Sequence, residues 1–372
     1  MGGPQAKRFF NTCSCCNTIP AVSAGVDRRN VLSGMIAAGV SAQLITHAMP
    51  ALAQPAAAPR PVLIDVHHHI VPPFYLAENR ERLAGPRKQI NPAWTDWEPR
   101  KALDAMDEHG VATAVLSLSM PGVWFGDAEA ARSTARRCNE YSAELAKSNP
   151  RRFGQFAVIP LPDSDGSLRE IEYAVDVLKA DGIAVLTSYG EKWLGDPAYS
   201  PVFEELNRRK CVVFVHPTVP GCCQTLLPAI TPLIAEVPQD TTRAIANLLF
   251  TGSFSRFKDI RFIFTHAGGT MPMVAGRMQQ YGPKSFTQKG PHAIEDELKR
   301  LYYDIAGTAF APAIAALTAL VPTTQILFGS DNPYVPLGVT ADGFEQLGLS
   351  SADLQAIGRE NALALLPNLA RP

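Results

Sequence analysis

The stretch "LIDVHHHIVPP", residues 63–73, sets three consecutive histidines between an aspartate and two prolines. Imidazole is the commonest metal ligand among side chains, and histidine as a residue type also transfers protons near neutral pH. The triplet could be one three-ligand cluster, a basic patch, or two ligands with a bystander between them. Strand geometry separates these readings, because residues i and i+2 of a strand share a face while i+1 points the other way. If the stretch is a strand, His67 and His69 project together and offer two imidazoles to one cation, and His68 turns away. The other metal-capable residues fall in a pattern. Of the 8 histidines, His216 closes the apolar run "VVFVHP" and His266 closes "FIFTHAGG", while Asp331 closes "ILFGSD". Singly, each has a plainer explanation: a histidine satisfied at a strand end, or an aspartate that starts a turn or caps a helix. Together they point to a metal site. For His68, His109 and His292 the structural explanation prevails.

Elements that could bring these residues together are legible from Pro61 onward. Short apolar runs begin near residues 62, 112, 153, 182, 211, 260, 300 and 325, separated by segments of helical periodicity. Most are rich in β-branched and aromatic residues without polar alternation, as parallel strands covered on both faces are. One helical segment, "SLREIEYAVDVLKADG", carries Ile171, Val175 and Leu178 on one face and should stop at Gly182. Glu170, Glu204 and Glu205 read as solvated helix faces. Alternating strand and helix units of this number and length predict an α/β (β/α)8 TIM barrel forming a single catalytic domain. Its strand ends would bring His67, His69, His216, His266 and Asp331 to one mouth. A doubly wound open sheet, the alternative, gives these ends no common centre. The segment from Val71 to Trp97 interrupts the spacing on the active-site side. With Phe74, Tyr75, Trp94 and Trp97 it reads either as a pocket lid, with Trp97 a candidate substrate contact, or as a loop anchored by its aromatics.

The bulk numbers exclude some classes of function. The 372 residues carry 34 basic and 35 acidic side chains, a net charge of −1, so nothing in the balance calls for nucleic acid or an anionic membrane surface. Residues 1–53 differ in composition. Arg28 and Arg29 precede an Ala/Gly/Leu/Ile run that ends in Ala51, Leu52, Ala53, a small-x-small cleavage pattern. This resembles a twin-arginine export signal, with Asp27 where Ser or Thr is usual. The expectation is a signal peptide over 1–53, a linker over 54–61 and the catalytic barrel over 62–372. Passage through the export machinery would leave a periplasmic or secreted protein, or a cytoplasmic one if the leader does not function. The apolar run is short and contains His47 and Pro50, so no stable membrane insertion is expected after cleavage. Removing the leader takes Cys13, Cys15 and Cys16. Cys138, Cys211, Cys222 and Cys223 remain and form no recognisable disulfide framework.

The motifs "DVHHHIVPP", "VVFVHP", "IFTHAGG" and "ILFGSDNP", in this order, resemble the amidohydrolase superfamily, and within it the aminocarboxymuconate-semialdehyde decarboxylase-like branch. "ATAVLSLSMPGVWFGD", "GEKWLGDPAYSPVFEELNRR" and "LYYDIAG" are most similar to 6-methylsalicylate-decarboxylase-type members. The resemblance implies that His67, His69, His216 and Asp331 bind one divalent metal and that His266 is the acid/base beside it. Imidazoles with one carboxylate suit Zn²⁺, with Mn²⁺ compatible with the same set. Where many superfamily hydrolases place a carboxylated lysine that bridges two metals, this chain has Thr187 and Ser188, which implies a mononuclear site. An arginine that holds a second substrate carboxylate in the aminocarboxymuconate enzyme is replaced by Ala102, favouring a monocarboxylate. Arg277 matches a family residue that reaches the neighbouring subunit's site, which implies a homodimer and a substrate contact.

Three functions are compatible with these residues. One is metal-dependent, non-oxidative decarboxylation of a small aromatic or unsaturated carboxylic acid, with His266 or Asp331 protonating the carbon that bears the carboxylate. Another is hydrolysis of a lactone, ester or amide. A third, metal or ligand binding without catalysis, leaves His266 without a purpose. The resemblance favours decarboxylation.

Overall fold

The computed structural model describes residues 62–84, 90–223 and 230–370. The expected leader and linker lie outside the described residues. All eight apolar runs form strands, in the expected order. They are β1 (Leu63–Ile70), β2 (Val111–Leu118), β3 (Phe153–Val158), β4 (Gly182–Leu186), β5 (Val212–His216), β6 (Arg261–Phe264), β7 (Tyr302–Asp304) and β8 (Ile326–Leu327). Each pairs in parallel with the next, giving an eight-stranded sheet in sequential order. Beyond the two-residue β8, the chain returns to β1: Val66 N donates to Phe328 O at 3.0 Å, Asp331 N to His67 O at 2.8 Å and His69 N to Asn332 O at 2.7 Å. The sheet thereby closes into a parallel barrel with helices between successive strands.

Alternation along the strands divides the core in two. Val212 and Phe214 of β5 join Ile64, Val66, Val115, Phe156 and Ile263 in the cluster drawn from nearly every strand, which fills the barrel interior. Val213 and Val215 belong to the larger cluster between strands and helices, with Met106, Ile171 and Phe203. Each fully buried phenylalanine contributes roughly 1.5–3 kcal/mol. Phe156 and Phe214 stack at 5.1 Å between ring centroids and floor the site. His216 continues the inward phase of Val212 and Phe214.

In β1 the phase is not continuous. Ile64 and Val66 face inward, so strict alternation would point His68 inward as well. The pairing with β2 shifts register between Asp65 and His68, and this bulge reverses the phase. His67 and His69 therefore face the interior, and His68 turns away from it, buried against Asp65.

Two helix-level expectations change. The segment that begins as helix Ser164–Glu172 widens into a π-helical turn over Tyr173–Val177, so Ile171 is fully buried while Val175 and Leu178 are only partly so. Glu170, read as solvated, is buried, where it accepts from Arg136 Nε at 3.0 Å and from Asn139 Nδ2 at 2.8 Å. No helix among the described residues is long and apolar enough to cross a membrane. Cys138 and Cys211 are buried free thiols.

Candidate active site

At the C-terminal mouth of the barrel, ligand-capable atoms of His67, His69, His216 and Asp331 all lie within 4.8 Å of one another. His67, His266 and Asp304 form a second, overlapping group. The strand ends named from the sequence thus converge as the barrel predicts.

Hydrogen bonds at the far edge of each ring fix which nitrogen faces the centre. His67 Nδ1 donates to Asp304 Oδ2 at 2.9 Å, and His216 Nδ1 donates to the Pro217 carbonyl at 2.8 Å. His69 Nδ1 lies 3.3 Å from Ser117 O and 3.0 Å from Ser117 Oγ. A carbonyl or carboxylate only accepts, so in the neutral rings of His67 and His216 these contacts place the proton on Nδ1 and leave the Nε2 lone pair pointing inward, and the Ser117 carbonyl favours the same tautomer for His69. His67 Nε2 stands 3.0 Å from His69 Nε2, and Asp331 Oδ1 is 3.4 Å and 3.1 Å from these two nitrogens. Lone pairs and a carboxylate gathered at such distances repel unless a positive charge sits among them. The donor set, imidazole nitrogens with one carboxylate oxygen, fits a divalent cation of the zinc or manganese type.

The same demand for positive charge shows in the titration of the groups. Burial opposes charging His67, yet the carboxylates of Asp304 and Asp331 prevail and raise its pKa to about 10. Burial, followed by His69 and His67, pushes His216 well below the usual imidazole value. Burial alone would push Asp331 up, but His67 and His69 hold it well below the ordinary carboxylate range.

His266 sits beside this cluster, its ring centroid 5.0 Å from that of His67 and 6.0 Å from that of His216. Its Nδ1 donates to Ala306 O at 2.8 Å, which leaves Nε2 to face the mouth. The backbone supports this placement at a cost: His266 and Asp331 adopt φ values of +55° and +65°. Left-handed backbone at non-glycine residues costs about 1–3 kcal/mol and clusters at functional sites.

Asp304 was not singled out from the sequence, although it ends the seventh run, "YYD". It is fully buried, and while Oδ2 orients His67, Oδ1 accepts from the amides of His266 and Ala306, both at 3.0 Å. One carboxylate thus positions a candidate ligand and the candidate acid. Its signal was its place at a strand end, shared with Asp331.

The segment after β1 folds as helix Pro73–Ala84 and a short helix Pro92–Thr95. Tyr75 OH donates to Gly122 O at 2.7 Å, and Phe74 lies under the Arg137 guanidinium, so these aromatics anchor the segment. Trp97 is not brought to the cluster: it is buried in the outer core, its ring 6.3 Å from Tyr141. Trp94 is the tryptophan linked to the site, through a hydrogen bond from Nε1 to Tyr334 OH; the Tyr334 ring packs edge-on against His69 at 5.3 Å. Arg277 lies exposed on helix Met271–Tyr281, its guanidinium over Tyr281 at 5.1 Å, away from this chain's own cluster. At the end of β4, the Thr187 hydroxyl donates to the buried Asp240 carboxylate, which also accepts from Trp193 Nε1 at 3.0 Å. Beside His216, the wall of the cavity is apolar, formed by Leu118, Val123, Val158, Leu186 and Tyr189.

A parallel barrel with this convergent His/Asp cluster at its C-terminal mouth defines a metal-dependent enzyme of the amidohydrolase type. The chain belongs to the amidohydrolase family, whose pattern it matches over residues 64–367. Decarboxylase yanB of Aspergillus niger is 34% identical over 331 residues, which cover 83% of this chain and 88% of that protein. The 6-methylsalicylic acid decarboxylase acuB of Aspergillus aculeatus is 33% identical over 326 residues, 83% of this chain and 97% of that protein. Among solved structures, a dihydroxybenzoic acid decarboxylase from a Polaromonas species, with bound manganese and the inhibitor 2-nitroresorcinol, shares the fold. It matches with a TM-score of 0.72 at 24% identity over 83% of this chain and 98% of that one. These relatives lie in the branch that the sequence motifs resemble.

Proposed function

We propose that this chain is a metal-dependent, non-oxidative decarboxylase of a small aromatic carboxylic acid. The observation that carries the reading is the convergence of three Nε2 lone pairs and one Asp331 oxygen, with His266 outside that set and its own Nε2 turned to the mouth. A binder has no use for such a group. Relatives named as decarboxylases favour loss of carbon dioxide over hydrolysis.

His67, His69, His216 and Asp331 hold one divalent ion. Zn²⁺ suits the donor set, and Mn²⁺, bound in the Polaromonas relative, is the alternative. When bound, the cation supplies an anchor for the substrate's anionic oxygens and stabilises charge that develops on them. Thr187 engages Asp240 and offers no bridging ligand for a second ion, in keeping with a mononuclear site.

His266 delivers the proton. As an imidazolium it gives up the Nε2 proton to the ring carbon bearing the carboxylate, that carbon becomes tetrahedral, and its bond to carbon dioxide breaks. The Nδ1–H bond to Ala306 O is kept throughout, so the ring does not turn during the cycle. Asp331 is the poorer acid, because a carboxylate must be deprotonated to bind the cation. The side chains beside His216 are apolar, in keeping with an aromatic rather than a polar substrate. Ala102 is buried, and Arg100 is spent on Asp104 at 2.9 Å on the exposed face of its helix, which favours a monocarboxylate such as a 2-hydroxybenzoate.

Purified metal-loaded protein incubated with a panel of hydroxybenzoates and lactones should release carbon dioxide from at least one acid. Acid release from a lactone with no carbon dioxide from any member would replace this reading with the hydrolase.

The active form is a homodimer in which Arg277 serves the partner subunit. In support, Met273, Arg277 and Tyr281 share one exposed face of their helix. Residues 1–53 direct export by the twin-arginine route, after which the protein works in the periplasm or outside the cell. A reporter fused behind the leader should stay in the cytoplasm when Arg28 and Arg29 are both changed to Lys, and fractionation that still finds it exported would refute that route.

A further inference from the structure

We propose that His68, the middle histidine of the triplet, is a positioning residue that holds Asp331 in its ligating conformation, an inference that rests on the four-ligand reading above. Asp331 keeps its left-handed φ of +65° only if its neighbours over-determine it. They do so through a clamp between the first and last strands. Ser330 donates to Asp65 twice, from N to Oδ1 at 2.9 Å and from Oγ to Oδ2 at 2.6 Å. Asn332 N donates to Ser330 Oγ at 3.0 Å. Asp331 N donates to His67 O, and His69 N to Asn332 O.

His68 completes the clamp from the side away from the metal cluster. Its Nδ1 donates to Asp65 Oδ2 at 2.9 Å, and its Nε2 accepts from Asn332 Nδ2 at 3.1 Å. One ring thus spans from the aspartate that anchors Ser330 to the residue that follows Asp331. Asp65, His68 and Ser330 are fully buried and Asn332 is 9% exposed, so the clamp acts through Asp331 rather than on substrate. The bulge in β1 makes the contact possible by turning His68 toward Asp65. An aliphatic side chain could fill the same space. It would leave Asn332 Nδ2 without its histidine acceptor and Asp65 Oδ2 with Ser330 Oγ alone, and the turn that carries Asp331 with one tie fewer.

The test is titration of the full chain, freed of metal, with Co²⁺, whose visible absorption reports the number and geometry of its ligands. In His68→Leu the affinity for Co²⁺ should fall about 10–100-fold, the range for groups that orient metal ligands. Its spectrum should move toward that of Asp331→Ala, while far-UV circular dichroism stays as in the wild type. His68→Gln, whose amide reaches toward Asn332 from the position of Nε2, should recover much of the affinity. Asn332→Ala cuts the same link from the other side and should reproduce the loss if His68→Leu does not fold. Wild-type affinity and spectrum in His68→Leu or in Asn332→Ala would overturn the proposal, as would a loss that His68→Gln does not lessen. Equal Co²⁺ affinity in wild type and Asp331→Ala would instead overturn the metal reading itself, and this inference with it.

Discussion

His266→Asn should lose turnover by about 10²–10⁴-fold, the usual contribution of a general acid, while its metal content stays that of the wild type. The asparagine amide can replace Nδ1 as donor to Ala306 O, and asparagine tolerates the left-handed backbone that His266 occupies at φ +55°. What it cannot replace is Nε2. The substitution therefore removes the proton donor and little else. Metal analysis alongside single-turnover release of carbon dioxide separates the outcomes. Loss of metal together with activity would make His266 a ligand, and proton delivery would pass to another group.

Asp304→Asn should weaken metal binding about 10–100-fold. The amides of His266 and Ala306 both need an acceptor where Oδ1 stands, so the asparagine oxygen must take that place. Its NH₂ then faces His67 Nδ1, which has to accept rather than donate. The ring proton moves to Nε2, which then has no lone pair to offer a cation. Isothermal titration with Zn²⁺ or Mn²⁺ reads the effect, and unchanged affinity would show that His67 does not depend on Asp304 for its tautomer.

The barrel was legible because its signal is redundant. Runs such as "CVVFVHP" and "IRFIFTHAGG" are apolar without alternation and rich in β-branched and aromatic residues, as strands covered on both faces are, and the histidines that end them point into a shared mouth. The pairing of His67 with His69 followed from a two-residue period. Which face the pair would occupy did not, because the bulge between Asp65 and His68 is a matter of register with β2, and no residue type in "LIDVHHH" announces it. Asp304 is not legible in this way, because a single aspartate after two tyrosines has many uses; the approach of His67 Nδ1 and of the His266 amide gives it its place. The tryptophans went the other way. Both belong to an insertion whose aromatic content suits either a lid or an anchored loop, and which of them reaches the mouth depends on how the chain turns around helix Pro92–Thr95, which puts Trp94 on Tyr334 and Trp97 in the outer core.

The closure of the barrel has a consequence for how the protein comes into being. His68 and Asn332, which meet at the seam, are 264 residues apart in the chain, and β8 is only two residues long before the polar clamp takes over. Contacts of such separation must overcome the loop entropy of everything between them. A ribosome-bound fragment that stops short of Asp331 carries His67, His69 and His216 but neither that carboxylate nor the seam that aims it. The full set of candidate ligands, and the seam that aims Asp331, therefore exist only in a chain long enough to join its first strand to the segment after its last.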